Sequence, residues 1–294
     1  MKTELFDLHA AIEDTHWWFV GRRWIIQRLV RAALPPSKDS VVVDVGCGTG
    51  ANIAALAADY SCVGIDPTPE AVEFAARRFP GVRFICGYAP EDLGDVASQA
   101  SMYLLNDVLE HVPDDFAMLS ELLAESAPGT QFLITVPAHE SLWSEHDVSF
   151  GHYRRYDAER LASVWDGLPV TVRLLSYYNA RLYPIVRGVR TLSRLRGHAG
   201  GERGTDLSLP PSPVNRALTA VFAGEGAALE RSLRTSSPAP YRTGVSLVAV
   251  LRRDAGRITP RALPTHVARD VHQPASHQPA SHQPASHQPL HQPA

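Results

Sequence analysis

The sequence predicts an α/β architecture: a mostly parallel, seven-stranded sheet with helices on both faces, an N-terminal helical segment and a helical insertion before the last strand. Three observations predict it. Five short apolar runs, at 41–46, 61–66, 82–87, 101–106 and 131–137, alternate with helix-like segments at 51–58, 69–79 and 114–125. That rhythm is the one βαβ units require, and strands without polar alternation are covered on both faces. The first run ends in a glycine-rich turn, Asp44-Val45-Gly46-Cys47-Gly48-Thr49-Gly50, which opens a helix. Finally, 294 residues with 45% hydrophobic and 20% charged content suffice for a large buried core. That composition excludes a wholly disordered chain, a collagen or a coiled coil.

Taken in order, the chain opens with a helical segment at about 4–33 that ends before Pro35-Pro36. The five alternating strands follow. Two later strands, at 170–178 and 245–253, lack the βαβ rhythm. The stretch between them is too long for a hairpin loop. It begins with a helix at 179–196, whose stripe is Leu182, Ile185, Val186, Val189, Leu192 and Leu195. Arg181, Arg187, Arg190, Arg194 and Arg196 lie mostly off that stripe, with no acid among them. Either the stripe packs on the sheet, or the helix is a basic amphipathic surface for an anionic membrane or acceptor. A glycine- and proline-rich joint (197–213) leads to a second helix at 214–233. The divisions are an N-terminal lid (1–36), a core (37–178), an insertion capping the sheet's ligand edge (179–240), a last core strand (241–257) and a tail (258–294).

From about residue 266 the tail becomes an ASHQP repeat that offers little apolar surface to bury, and it reads as disordered. Its histidines at 272, 277, 282, 287 and 291 invite a metal-binding reading, against which low-complexity drift is the simpler account. The formal charge of −3 points to no nucleic-acid partner. Cys47, Cys62 and Cys86 are too few and scattered for a disulfide framework or zinc cluster. No apolar run is long enough to span a bilayer, and the N-terminus lacks a signal-peptide core. The expected location is cytoplasmic, with peripheral contact at the inner membrane face through 179–196.

Glycines in the turn at 46–50 let a ligand approach the backbone closely. Gly46-x-Gly48-x-x-Ala51 also satisfies the dinucleotide fingerprint. Asp44 separates the alternatives. A carboxylate there opposes a pyrophosphate, and it suits the ammonium and sulfonium of S-adenosylmethionine (SAM). Asp66 ends the next strand, twenty residues after Gly46. It can accept from both ribose hydroxyls, or cap a helix before Pro67.

The run DVGCGTG, Asp66 and the run Asn106-Asp107-Val108-Leu109-Glu110-His111-Val112 together resemble class I SAM-dependent methyltransferases, over roughly 1–253. Within that superfamily, THWWFVGRR (15–23), LWSEHD and GHYRRYD (within 142–157) and GVSLVAVLRR (244–253) resemble a bacterial group of the type 11/12 kind. The resemblance implies a Rossmann-like fold and SAM as cofactor. It implies Gly46, Cys47, Gly48 and Gly50 around the methionine part, Asp66 and Pro67 at the ribose, and Asn106 beneath the methionine. It also implies that the N-terminal helix lies over the cofactor, with Trp18 walling the pocket and Arg22 or Arg23 reaching the methionine carboxylate. One departure stands out. Where many members carry an acid for the adenine amino group, this chain has Tyr88 and Ala89. Either backbone and Tyr88 hold the adenine, or Glu91 or Asp92 does.

The acceptor side belongs after the fifth strand, where His139, Glu140, Glu145, His146, Asp147 and His152 crowd into fourteen residues. His146 beside Asp147, with His152 six residues on, could be a general base with an orienting partner. Alternatively His152, Arg154 and Arg155 knit the loop to the sheet. The cluster matches no metal spacing, and no metal is expected. Glu110-His111 reads as a framework pair. The expected activity is methyl transfer to a small-molecule, sugar or lipid-linked acceptor. A catalytically silent SAM-binding partner subunit is the second reading. A nicotinamide dehydrogenase, the third, is disfavoured by Asp44.

Overall fold

The computed structural model describes residues 10–195 and 208–258, with the side chains of 193–195 left aside. The first residues of the helix expected at 4–33, most of the joint at 197–213 and the ASHQP tail lie outside the described residues.

One sheet of seven strands runs in the order β3-β2-β1-β4-β5-β7-β6. The strands are β1 (Ser37–Val45), β2 (Tyr60–Asp66), β3 (Arg83–Cys86), β4 (Ala100–Asn106), β5 (Gln131–Pro137), β6 (Val170–Tyr178) and β7 (Ser246–Arg253). The first five pair in parallel, and β7 lies antiparallel between β5 and β6. Chain order reverses between β1 and β4. The carboxyl ends of those two strands therefore flank the crevice where open α/β sheets bind ligands.

Consecutive residues of each central strand point to opposite faces, and here both faces are apolar. Val43, Tyr103, Leu105, Phe132 and Ile134 join one core, with Leu122 and Trp165. Val42, Met102, Leu104 and Leu133 join the other, with Ile25, Leu29, Phe222 and Leu229. This two-sided burial explains why the strands read as unbroken apolar runs.

The helices differ from expectation in several places. The first, α1, spans Trp17–Ala33, and His16 caps it by accepting from Trp18 N at 3.3 Å. The helix expected at 51–58 is shorter, α2 at Ala51–Ala54. It is followed by α3 (Pro69–Arg78), α4 (Val96–Gln99), α5 (Asp115–Glu125), α6 (Glu145–Phe150) and α7 (Ala158–Ala162). The helix expected at 179–196 begins later, as α8 at Tyr183–Leu195. The single helix expected at 214–233 is two, α9 (Ser212–Ala223) and α10 (Gly226–Thr235). The break has a physical cause. Glu225 is buried, and its carboxylate accepts from the amides of Ala180 (3.1 Å) and Arg181 (2.8 Å). The chain turns there to bring that acid to the end of β6.

Both α9 and α10 pack on α1 and on one face of the sheet. Phe222 is fully buried, stacked on Tyr178 at 5.8 Å and edge-on to Trp17 at 5.9 Å. A β-carbon on Gly21 would meet the Phe222 ring at 2.6 Å, so only glycine permits this approach. The stripe of α8 does not follow suit. Leu182, just before the helix, is buried, but Ile185, Val189 and Leu192 are 62%, 59% and 46% exposed.

Phe222→Ala should leave a cavity between α1 and the sheet and cost about 3–5 kcal/mol in urea-induced unfolding. A cost under about 1 kcal/mol would show that this ring does not hold the helical layer.

Candidate active site

The loop after β1 is held from below. The amides of Gly46 and Cys47 donate to the Ile65 carbonyl at 2.8 and 3.1 Å. Asp66 holds it from the side. One carboxylate oxygen accepts from Gly48 N and the other from Thr68 N, both at 2.9 Å. Asp66 thus ties the glycine loop to the start of α3, and Pro67 follows it at the exposed rim. Gly48 has a φ of +51°, and a β-carbon there would meet nothing within 4 Å. The space above Gly48 is therefore open. Gly50 is a packing glycine, since a β-carbon there would strike Phe84 at 2.7 Å.

Near this loop, at the ends of β1 and β4, two polar side chains are buried together. Asn106 Nδ2 donates to Asp44 Oδ1 at 3.2 Å. The other oxygens, Asp44 Oδ2 and Asn106 Oδ1, are buried without a hydrogen-bond partner. Burial pushes the Asp44 carboxyl up to about 7, although Asn106 and Arg22 act in the opposite direction.

The N-terminal helix lies against this edge. Arg22 is buried and ion-paired to Asp107, the residue after β4, and its guanidinium lies 4.3 Å from the Trp18 ring centroid. Arg23 turns away, donating to the Glu13 carbonyl and pairing with Asp14. Glu13 is buried, and its carboxylate accepts from Thr49 Oγ1 in the glycine loop and pairs with Arg78, which also pairs with Asp14. Sequence reasoning missed Glu13 and Asp14, because no motif marks a side chain that strap-locks a loop 36 residues away. On the far side, Tyr88 is 40% exposed, and its amide donates to Asp92 Oδ2 at 2.7 Å. Asp92 therefore already has a partner, and Ala89 packs against the core.

After β5 the structure redistributes the expected partners. His146 and Asp147 are adjacent on α6, but Asp147 does not orient His146. It is fully buried and caps its own helix, accepting from Ser144 N at 2.8 Å. It also accepts from His152 Nδ1 at 2.8 Å, and from Arg155 Nε and Nη2 at 2.8 and 3.0 Å. Burial alone would raise the Asp147 carboxyl. These donors more than offset it and hold the group well below the usual carboxylate range. The His146 ring lies on Phe150, with centroids 4.4 Å apart. Arg155 also donates to the Ala138 carbonyl at 3.1 Å, anchoring the loop to the end of β5.

Glu110 and His111, expected as framework, stand directly beside this group. The His111 ring meets His152 edge-on at 4.6 Å. Burial and His152 push the His111 imidazole down to about 3. Burial lifts the fully enclosed Glu110 carboxyl to about 8. Apart from the glycine loop, a cleft of about 670 Å³ opens between α8 and Thr243, lined by Tyr183, Arg187 and Leu192. His139 borders it, stacked on Tyr177 at 5.0 Å and bonded to Thr243 at 3.1 Å.

A glycine turn at the switch point of a parallel sheet, with acids ending β1 and β2, defines an α/β protein built to bind a nucleoside-bearing ligand. Residues 17–181 match the model of a methyltransferase-domain family, and the chain belongs to that family. Over 197 residues it is 26% identical to a trans-aconitate 2-methyltransferase of Deinococcus radiodurans, covering 59% of this chain and 73% of that one. Over 114 residues it is 32% identical to the Methylobacterium nodulans enzyme of the same name, covering 36% of this chain and 42% of that one. Two solved structures share the fold. One is from the complex between the Haloferax volcanii Trm112 methyltransferase activator and a methyltransferase, with TM-score 0.54, 16% identity and coverage of 87% and 97%. The other is the plantazolicin methyltransferase BpumL with a desmethyl analog and S-adenosylhomocysteine (SAH), with TM-score 0.52, 13% identity and coverage of 86% and 92%. The protein is a SAM-dependent methyltransferase of class I, with the Rossmann-like sheet of that class.

The raised Asp44 carboxyl has a pH consequence. Its folded value, about 7, lies above its unfolded value near 3.8, so the ligand-free protein holds a proton that the unfolded chain releases. That contribution to stability is complete below pH 3.8 and is lost as pH rises through about 7. Asp44→Asn should therefore gain about 3 kcal/mol on wild type between pH 5 and pH 8, at about 1.4 kcal/mol for each unit from pH 5 to pH 7. Urea unfolding of ligand-free protein at the two pH values measures this, and a constant difference would contradict it.

Proposed function

We propose that this methyltransferase binds SAM across the carboxyl ends of β1, β2 and β4 and methylates a hydroxyl of a small-molecule, sugar or lipid-linked acceptor that approaches from His152. The observation that carries the cofactor part is the buried Asp44–Asn106 pair, with one unpartnered oxygen on each residue, next to a glycine loop that is open above Gly48. Buried acceptors of this kind are costly unless a donor reaches them, and the ammonium of a methionine moiety is such a donor. Gly46, Cys47, Gly48 and Gly50 would form the floor. Asp66 and Pro67 would lie at the ribose, Tyr88 and Ala89 at the adenine, and Trp18 and Arg22 at the methionine end. Bound there, SAM supplies a methyl carbon activated by its sulfonium. The protein's part is alignment, which can be worth several kcal/mol.

On the acceptor side, Asp147 and His152 are the pair we assign to the nucleophile, with His146 on the adjoining wall. With Nδ1 committed to Asp147, Nε2 is the nitrogen that His152 can turn to an acceptor hydroxyl. The curated relatives named for trans-aconitate make a small-molecule acceptor the first class to screen.

SAH should bind at micromolar affinity, and Asp66→Ala should weaken it at least tenfold by calorimetry. Loss of a charged hydrogen-bonding group is worth roughly 1.5–3 kcal/mol. Unchanged affinity would sink the ribose assignment.

The exposed stripe of α8 favours the lipid-linked acceptor within this reading. No helix of the described residues is long and apolar enough to cross a membrane. Ile185 and Val189 nevertheless face solvent, and no acid occurs between Arg181 and Arg196. Apolar side chains beside Arg187 suit the headgroup region of an anionic bilayer, at about 1 kcal/mol for each arginine that reaches it. Wild type should sediment partly with phosphatidylglycerol vesicles at low salt. Replacing Ile185 and Val189 by serine with Arg187→Gln should abolish this and spare SAH binding. Protein that ignores anionic vesicles would leave α8 as part of a soluble acceptor cleft.

A further inference from the structure

Four titratable side chains stand together where the turn after β4 meets the end of α6. Glu110 and His111 come from one element and Asp147 and His152 from another. One ligand atom each of Glu110, His111 and His152 lies within 4.8 Å of the others. The Glu110 carboxylate is fully buried, and neither of its oxygens has a hydrogen-bond partner. A buried carboxyl that no other residue donates to is costly to hold. Asp147, equally buried in the same neighbourhood, is surrounded by donors. The contrast shows that the fold can satisfy an acid here and leaves this one open.

We propose that Glu110, His111 and His152 form a binding site for a divalent transition-metal ion of the zinc, manganese or iron class, which receives the acceptor's oxygen. Two imidazoles and one carboxylate select that class over calcium or magnesium, which prefer all-oxygen sites. His152 is prepared for the task. Its Nδ1 donates to Asp147 Oδ1 at 2.8 Å, and Arg155 grips Asp147 through both oxygens. That carboxylate fixes the ring and leaves Nε2 as the ligand atom, the usual support behind a metal-bound histidine. The His111 ring stands edge-on to His152, with centroids 4.6 Å apart, on the side of Glu110.

Three protein ligands leave a coordination position for a substrate oxygen. Glu110 lies four residues beyond Asn106, so the site adjoins the edge assigned above to SAM. An acceptor hydroxyl bound to the ion is more acidic than a free one. With the ion bound, His152 Nε2 coordinates it instead of facing the hydroxyl directly; the hydroxyl releases its proton to solvent, its oxygen pair forms the new C–O bond, and the C–S bond breaks with its pair left on sulfur. The fitting acceptor is a hydroxyl flanked by a second oxygen, so that both can reach the ion. This role rests on the methyl-transfer reading given above, whereas the metal site itself does not.

The test uses full-length protein in which His266, His272, His277, His282, His287 and His291 are changed to alanine, so that no histidine of the tail binds metal. EDTA-treated protein is titrated by calorimetry with Zn²⁺, Mn²⁺ and Mg²⁺. The expected result is one equivalent of Zn²⁺ or Mn²⁺, bound at least tenfold more tightly than Mg²⁺. His152→Ala and Glu110→Gln should each weaken binding at least tenfold, and His146→Ala should not. Circular dichroism checks folding, and His111→Gln replaces either variant that does not fold. Absence of a one-equivalent site, or affinity unchanged in the ligand variants, overturns the proposal. SAH titration of the same sample separates the outcomes. Protein that binds SAH but no metal defeats this inference alone, and protein that binds metal but no SAH defeats the cofactor assignment instead.

Discussion

A guanidinium taken out of water must find a counter-charge, or the element carrying it cannot dock. Arg22 is that group here, and its ion pair with Asp107 fixes the N-terminal helix over the carboxyl edge of the sheet. Much of the molecule follows from this contact. It sets Trp18 against the guanidinium and turns Gly21 toward Phe222. Through Phe222 it seats the helices at 212–235 on the same layer. At its other end, Asp107 adopts a φ of 57° and leads the chain from β4 into the turn that carries Glu110 and His111. One ion pair thus joins the N-terminal helix to the turn after β4.

Buried carboxylates around this edge fall into two kinds. Asp147 accepts from an amide, a histidine and an arginine, and is held ionised despite its enclosure. Asp44 and Glu110 are as deeply enclosed, have unpartnered oxygens, and are pushed toward their neutral forms. Burial is common to all three, so the supply of donors decides the difference. An acid with every lone pair answered belongs to the scaffold. One left unanswered remains costly until a donor reaches it.

The parts of this arrangement legible in the sequence were those set by local rules. The strands read clearly because both their faces are apolar, and the glycine loop because its turn demands positive φ at Gly46, Gly48 and Gly50. Long-range contacts were not legible. Nothing near Glu225 announces that a helix will break so that its carboxylate can meet the amides of residues 180 and 181. Nothing near Glu13 announces Thr49 and Arg78. The expected His146–Asp147 pair failed for a simple reason: neighbours on a helix point about 100° apart and cannot face each other. Asp147 instead reaches His152 across the turn at Gly151, which ends the helix. The stripe of α8 was read correctly as a stripe, but periodicity says nothing about what covers it.

The antiparallel strand β7 sits between β5 and β6, and among the described residues β6 has no other neighbour in the sheet. During synthesis the ribosome delivers β5 and β6 well before residues 246–253. Until that last strand threads between them, the outer edge of β5 stands open and β6 has nothing to pair with. The helices of 183–235 are made during this interval, so any delay in their translation lengthens the time for which an apolar edge is bare. Such an edge is a template for strands of other chains. The register that completes the sheet therefore also makes the nascent protein depend on the timely arrival of its eight-residue keystone strand.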